Sequence, residues 1–214
     1  MKRKRLPSRP RKSKVGTLSE KTIDSDPFDQ FNSWFQAANN AKILKPEAMM
    51  LATASADGAL SARIVLFKGI NRRGFSFYTN YLSLKGKQLS QNPRAALVFY
   101  WAKLERQIRI EGTVEKMSRE DSWNYFRTRP RESQIGAWAS QQSQVISSRL
   151  VLDTQFDKFK EQFRDDDVPL PDQWGGYRLM PRRIEFWQSG PHRLHDRISY
   201  ERNGNSWKII RLSP

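Results

Sequence analysis

Three arginines, a tyrosine and three serines fall between Tyr125 and Ser143, with Glu132 the only acid among them. Arg127, Arg129 and Arg131 alternate along the chain, and Pro130 interrupts them. Proline lacks an N–H and restricts the residue before it, so a helical turn ends there. Polar side chains and free backbone amides then gather at a break between helices. Guanidinium forks, hydroxyls and amides in one place suit a phosphate or a carboxylate. Composition alone favours a plainer reading, a solvated basic loop.

A second cationic set lies upstream. Arg63 and Lys68 flank the apolar run Ile64-Val65-Leu66-Phe67. Strand side chains alternate faces, so an odd and an even position meet one ligand only where the strand ends or twists. The alternative is two solvent-facing edge cations. Gln107 falls on a strand, where cross-strand bonds would satisfy its amide. Trp187 reads first as core or interface packing. His192 and His195 have helical metal spacing, but Gly190-Pro191 argues against a helix and no third ligand follows, so no metal site is expected. Asp196 beside His195 is adjacency rather than triad geometry.

The elements that must position these residues follow from pattern. Asp26-Pro27-Phe28 is a helix start, with Phe28, Phe31, Phe35 and Ala38 on one face. Strands are expected at 49–56, 60–68, 75–79, 94–101, 106–116, 176–188, 197–202 and 206–212. Asp57-Gly58 and Asn203-Gly204 mark hairpins. Short helices are expected at 83–91 and from Ser118 to about Arg129, the latter with Asp121 in capping-box position. A longer one covers 148–163, with Leu152, Phe156, Phe159 and Phe163 on its buried side, and 165–171 is a linker. Seven or eight strands joined by hairpins, with helices added, predict a mainly β, α+β chain built on an antiparallel, Greek-key-like barrel. No G-x-G-x-x-G follows a strand, which disfavours a doubly wound nucleotide fold.

The chain of 214 residues suits one domain, residues 20–214, behind a tail at 1–19. The tail holds eight Lys/Arg and no acid within a net charge of +16. It is expected to be disordered, with at most nonspecific nucleic-acid contact. There is no cysteine, which excludes disulfides and thiolate chemistry. No apolar run reaches the roughly 18 residues of a membrane span, and a cytoplasmic protein is expected.

The order Tyr-Phe-x-x-Arg-Pro-Arg-x-Ser-Gln-Ile-Gly-Ala-Trp-x-Ser-x-Gln-Ser at 125–143 resembles the pyridoxamine/pyridoxine 5′-phosphate oxidases. Glu185-Phe186-Trp187-Gln188 with Arg193-Leu194-His195-Asp196-Arg197 is similar to the family's C-terminal signature, and Arg63 to Gly69 to its first flavin segment. The resemblance implies a split β-barrel that binds flavin mononucleotide (FMN) between the subunits of a homodimer. It places the cofactor on Arg63, Ile64, Val65, Leu66, Phe67, Lys68, Tyr78, Thr79, Lys85, Gln107, Gln142, Ser143, Trp187 and Arg197. It places substrate on Lys68, Tyr125, Arg129, Ser133, Arg193, Leu194 and His195, with Arg193 and His195 at the reacting end. Phosphorylated B6 vitamers and dioxygen are the implied reactants, and pyridoxal 5′-phosphate and hydrogen peroxide the products. The chain departs from the pattern at three places, one of them Lys45-Pro46-Glu47-Ala48-Met49, where an acidic residue before the proline is more usual. Leu84 replaces an arginine in Ser83-Leu84-Lys85-Gly86, with Lys87 a nearby substitute cation, and Arg11-Lys12-Ser13-Lys14 lacks the tyrosine of a substrate lid.

Overall fold

A computed structural model describes residues 18–214. The lid comparison and nearly all of the expected tail lie outside the described residues. Nine strands form one wholly antiparallel sheet with the path β2-β1-β5-β6-β7-β4-β3, and β8 and β9 extend from β7. In chain order these are β1 Ala48–Ala54, β2 Leu60–Leu66, β3 Gly69–Asn71, β4 Gly74–Asn80, β5 Arg94–Trp101, β6 Arg106–Lys116, β7 Trp174–Gln188, β8 Asp196–Asn203 and β9 Ser206–Arg211. Among the described residues no ladder joins β2 to β3, so the barrel is split rather than closed. The short β3 is the strand that the sequence pattern does not show.

Helix α1, Pro27–Asn40, starts where the cap chemistry puts it: Asp26 Oδ1 accepts from the Phe28 N–H at 2.8 Å. Phe31 is fully buried and meets Phe67, Phe75 and Phe99 edge-on at 4.9–5.2 Å between centroids. Burying one such ring contributes about 1.5–3 kcal/mol, so this cluster fixes the helix over the sheet. Trp34, absent from the expected face, is buried too, against Phe186. The remaining helices are α2 Leu84–Gln91, α3 Arg119–Phe126, α4 Arg131–Ala139 and α5 Arg149–Gln162.

Helix α3 stops at Phe126, three residues short of the expected Arg129, and α4 was not expected at all. Pro130 both ends the turn before it and stands as N-cap of α4. On the expected buried side of α5, Leu152 is half-buried and outside the core, whereas Phe163, the C-cap, is 7% exposed and Phe156 and Phe159 are partly packed. They join Phe126, Ile135, Val168, Leu170 and Trp174 in a second core. Two arginines staple this core through carbonyls. Arg119 Nη1 donates to Pro171 O at 2.8 Å, and Arg131 donates to Asp166 O at 3.0 Å and to Phe163 O at the end of α5.

Candidate functional site

A cavity of about 1220 Å³ opens between β2, β4, α2 and the α3–α4 break. No Asp or Glu is among the described residues that line it. Two cationic clusters stand on its walls.

The first belongs to α2 and β2. Ser83 caps α2, so Lys85 enters the first turn with its amine beside the cap. Lys85 Nζ donates to Gln142 Oε1 at 2.8 Å and to Thr79 Oγ1 and Ser83 Oγ at 3.3 Å. Burial, and then the neighbouring Arg63 charge, push its pKa down to about 8. Arg63 is held by neutral acceptors. Nη1 donates to Thr53 Oγ1 at 2.6 Å and to Leu51 O at 3.2 Å, and Nη2 donates to Ser61 Oγ. Thr53 and Ser61 in turn donate to Gln88 Oε1 at 2.6 and 2.7 Å. Sequence reasoning missed Thr53, Ser61 and Gln88. Gln88 lies one helical turn after Lys85, the only signal it offered. Leu84 lines the cavity, half exposed, whereas Lys87 does not line it.

The second cluster belongs to the α3–α4 break. Lys68, Tyr125, Arg129 and Ser133 all line the cavity. Lys68 reaches the same space as Arg63 because β2 ends at Leu66 and the chain turns before β3. Its Nζ lies 5.7 Å from the Tyr125 ring centre. Tyr78 and Tyr125 stack at 4.0 Å, which joins the two clusters. Ser133, Gly136, Ala137 and Ser140 line the wall at helical spacing, while Ile135 and Ala139 of α4 turn into the core. Arg129 Nη1 is buried with no hydrogen-bond partner, an orphan donor at the cavity wall. Of the three arginines between 127 and 131, only Arg129 serves the cavity: Arg127 is exposed and Arg131 caps α5.

Ile64, Val65 and Leu66 line the cavity from β2, whose outer edge has no strand partner among the described residues. Phe67 does not. Its side chain is 8% exposed and packs on Phe31 and Phe99, because alternation at the strand end turns it inward. Gln142 and Ser143 close the cavity from the loop after α4, with Ser143 in the left-handed region at φ 72°.

The remaining expected residues stand elsewhere. Gln107 pairs with Trp187, and Trp187 with Arg197, in one row across β6, β7 and β8. None of the three lines the cavity, nor do Arg193, Leu194 or His195. Arg197 Nε donates to the buried Glu185 at 2.8 Å and Nη1 to Ser213 O at 2.9 Å. The His195 ring lies 4.7 Å from the Trp187 ring. Its Nδ1 accepts from the Gly190 N–H at 3.2 Å, so a neutral ring carries its proton on Nε2. His192 and Arg193 are consecutive left-handed residues, at φ 56° and 65°. This turn is held in a conformation that L residues rarely adopt. The expected residues thus fall in two separate places on one chain, the cavity and the row across β6, β7 and β8 with the turn that follows β7.

A profile described as pyridoxamine 5′-phosphate oxidase matches residues 35–163, and one described as pyridoxine 5′-phosphate oxidase C-terminal dimerisation region matches 174–214. The chain belongs to the pyridoxamine 5′-phosphate oxidase family. Curated relatives named pyridoxine/pyridoxamine 5′-phosphate oxidase agree. That of Gloeothece citriformis is 54% identical over 198 residues, covering 92% of each chain. That of Paraburkholderia phymatum is 54% identical over 201 residues, covering 94% of each chain. Among solved structures, PhzG from Burkholderia lata 383, in complex with tetrahydrophenazine-1-carboxylic acid, superposes with a TM-score of 0.88 at 31% identity. It covers 94% of this chain and 100% of its own. An oxidase-related, FMN-binding protein from Nostoc punctiforme superposes at 0.71 with 17% identity, which shows the family's fold. Among the described residues no helix is long and apolar enough to cross a membrane.

Proposed function

We propose that this chain is an FMN-dependent oxidase that converts pyridoxamine 5′-phosphate or pyridoxine 5′-phosphate to pyridoxal 5′-phosphate. One observation carries the reading: a single acid-free cavity holds two distinct cationic clusters. Two phosphorylated molecules need two such places, one for the cofactor and one for the substrate.

The residues fit FMN. Arg63, Lys85, Thr79, Gln142 and Ser143 offer a phosphate both charge and hydroxyl or amide donors. The open edge of β2 at 64–66 offers main-chain groups to a planar heterocycle. Tyr125, Arg129, Ser133 and Lys68 take the substrate phosphate, and the orphan Nη1 of Arg129 is its donor.

The other half-site comes from a second copy. The outward face of β2, β1 and β5 exposes Ile64, Met50 and Tyr100 at 63%, 44% and 63%. Cross-strand pairing makes Met50 the neighbour of Ile64 and Val98. Such a patch marks a protein interface, and a homodimer would bring Gln107, Trp187 and Arg197 of one copy to the cavity of the other.

When bound, FMN supplies a two-electron acceptor that takes hydride from C4′ of the substrate and returns the electrons to dioxygen, giving hydrogen peroxide. The chain orients C4′; a proton leaves the 4′ oxygen or nitrogen as the hydride leaves carbon, and with the amine substrate water then hydrolyses the resulting imine and releases ammonia. Arg193 steadies developing charge on the substrate, and His195 donates from Nε2 to the ring hydroxyl. The role is cellular supply or salvage of the B6 cofactor in the cytoplasm.

The test is anaerobic. The FMN-loaded protein is mixed with pyridoxine 5′-phosphate, and the visible flavin absorption is followed. Bleaching that air restores, with pyridoxal 5′-phosphate formed, supports the reading. Persistent colour at saturating substrate defeats it. The likeness to PhzG favours a second reading, oxidation of a reduced phenazine carboxylate. Bleaching by tetrahydrophenazine-1-carboxylic acid and not by the phosphate ester would select it.

A further inference from the structure

Trp174 opens β7 and is only 7% exposed, yet it forms part of the cavity wall. Three aromatic planes run nearly parallel there. Trp174 lies 5.6 Å and 10° from Tyr78, and 6.2 Å and 8° from Tyr125. The Arg129 guanidinium rests 4.6 Å from the indole centre and 5.5 Å from the Phe126 ring. Burial draws the Arg129 pKa down, and no carboxylate is among the groups that act on it. A buried cation without an acid needs another source of stabilisation. The indole face is the strongest neutral one, since its quadrupole is negative above the ring. A carboxylate in its place would neutralise the charge before any ligand arrived. The backbone at Trp174 is itself fixed: its main-chain N–H donates to Pro171 O at 3.1 Å, and its carbonyl accepts from Arg119 Nη1 at 3.4 Å. Glycines at 175 and 176 follow it because a Cβ there would meet the Tyr81 hydroxyl at 2.2 Å or Tyr78 Cε1 at 2.8 Å.

We propose that Trp174 is a positioning residue that holds the Arg129 guanidinium oriented and unpaired at the cavity wall, and so sets the preference for a phosphorylated over an unphosphorylated substrate. This rests on the reading of Arg129 and Tyr125 as the phosphate subsite.

The test compares FMN-loaded wild type, Trp174→Phe, Trp174→Leu, Arg129→Ala and the Trp174→Leu/Arg129→Ala double variant. KM and kcat are measured with pyridoxine 5′-phosphate and with pyridoxine. KM for the phosphate ester should rise about tenfold in Trp174→Leu, the scale of a desolvated cation–π contact, with Trp174→Phe between. KM for pyridoxine should rise far less, so that the ratio of the two KM values shifts by about the same tenfold: the stack on Tyr78 and Tyr125 bears on both substrates, and Arg129 on the phosphate alone. In the Arg129→Ala background Trp174→Leu should add nothing. Wild-type KM in Trp174→Leu, or equal losses on both substrates, overturns the proposal while leaving the subsite in place. Wild-type KM in Arg129→Ala defeats the phosphate subsite itself. Where Trp174→Leu does not fold, Trp174→Phe decides, and wild-type KM for the ester there overturns the proposal.

Discussion

Arg129 and Arg131 are two residues apart and chemically identical, yet one faces a ligand cavity and the other caps a helix. The difference lies in Trp174 and Phe163, which stand more than thirty residues downstream. That the basic stretch gathers polar groups at a break in the chain was legible, but its division between cavity wall and helix cap was not, because long-range partners carry no local signal. Lys85 has a pH consequence. Its amine, lowered to about 8, is charged below that pH and neutral above it. FMN affinity should therefore weaken as pH rises through about 8, and the step should vanish in Lys85→Met. Fluorescence titrations of FMN from pH 6.5 to 9.5 check this, and a flat profile in the wild type would remove Lys85 from the phosphate. Leu84, on the same wall, leaves that cluster one cation poorer. Leu84→Arg should tighten FMN by roughly tenfold, the scale of one charge-assisted hydrogen bond. An unchanged titration would mean that Arg63 already fills the place.

At the scale of elements, most strand and helix placements followed from turn residues and alternation, and β5 and β6 coincide with their expected spans. Helix α4 escaped because Pro130 reads as a terminator when it is also an N-cap. The positive φ values of Ser143, His192 and Arg193 were not legible, since no glycine marks them. The 190–195 turn depends on close packing instead. A Cβ at Gly190 would lie 2.0 Å from Leu194 O. Gly190→Ala should displace the turn, free His195 Nδ1 and slow flavin reduction at least tenfold, with FMN affinity little changed. Anaerobic stopped-flow at saturating substrate checks it, and a wild-type rate would take the turn out of the reacting end.

For the whole molecule, the separation of Gln107, Trp187 and Arg197 from the cavity is the feature that one chain's sequence could not show. The motifs read as one site, and in a single chain their residues fall into two groups that the proposed dimer would join. Met50 touches neither half yet lies on the outward apolar face. Met50→Glu should yield a folded monomer that has lost most of its FMN affinity, because a charge in an apolar interface opposes pairing. Light scattering with FMN titration measures both together. A monomer that binds FMN as tightly as wild type would refute the shared site.

Strand β2 serves two surfaces at once. Arg63 belongs to the first cationic cluster, while Ala62, Ile64 and Leu66 face outward. A one-residue slip in its pairing with β1 would exchange these sets in a single event. An apolar side chain would enter the cationic cluster, and a charge would enter the face proposed to pair with a second copy. On the proposed dimer an insertion or deletion in β2 should therefore have no partial phenotype: assembly and cofactor retention should fail together, whereas point substitutions should separate them.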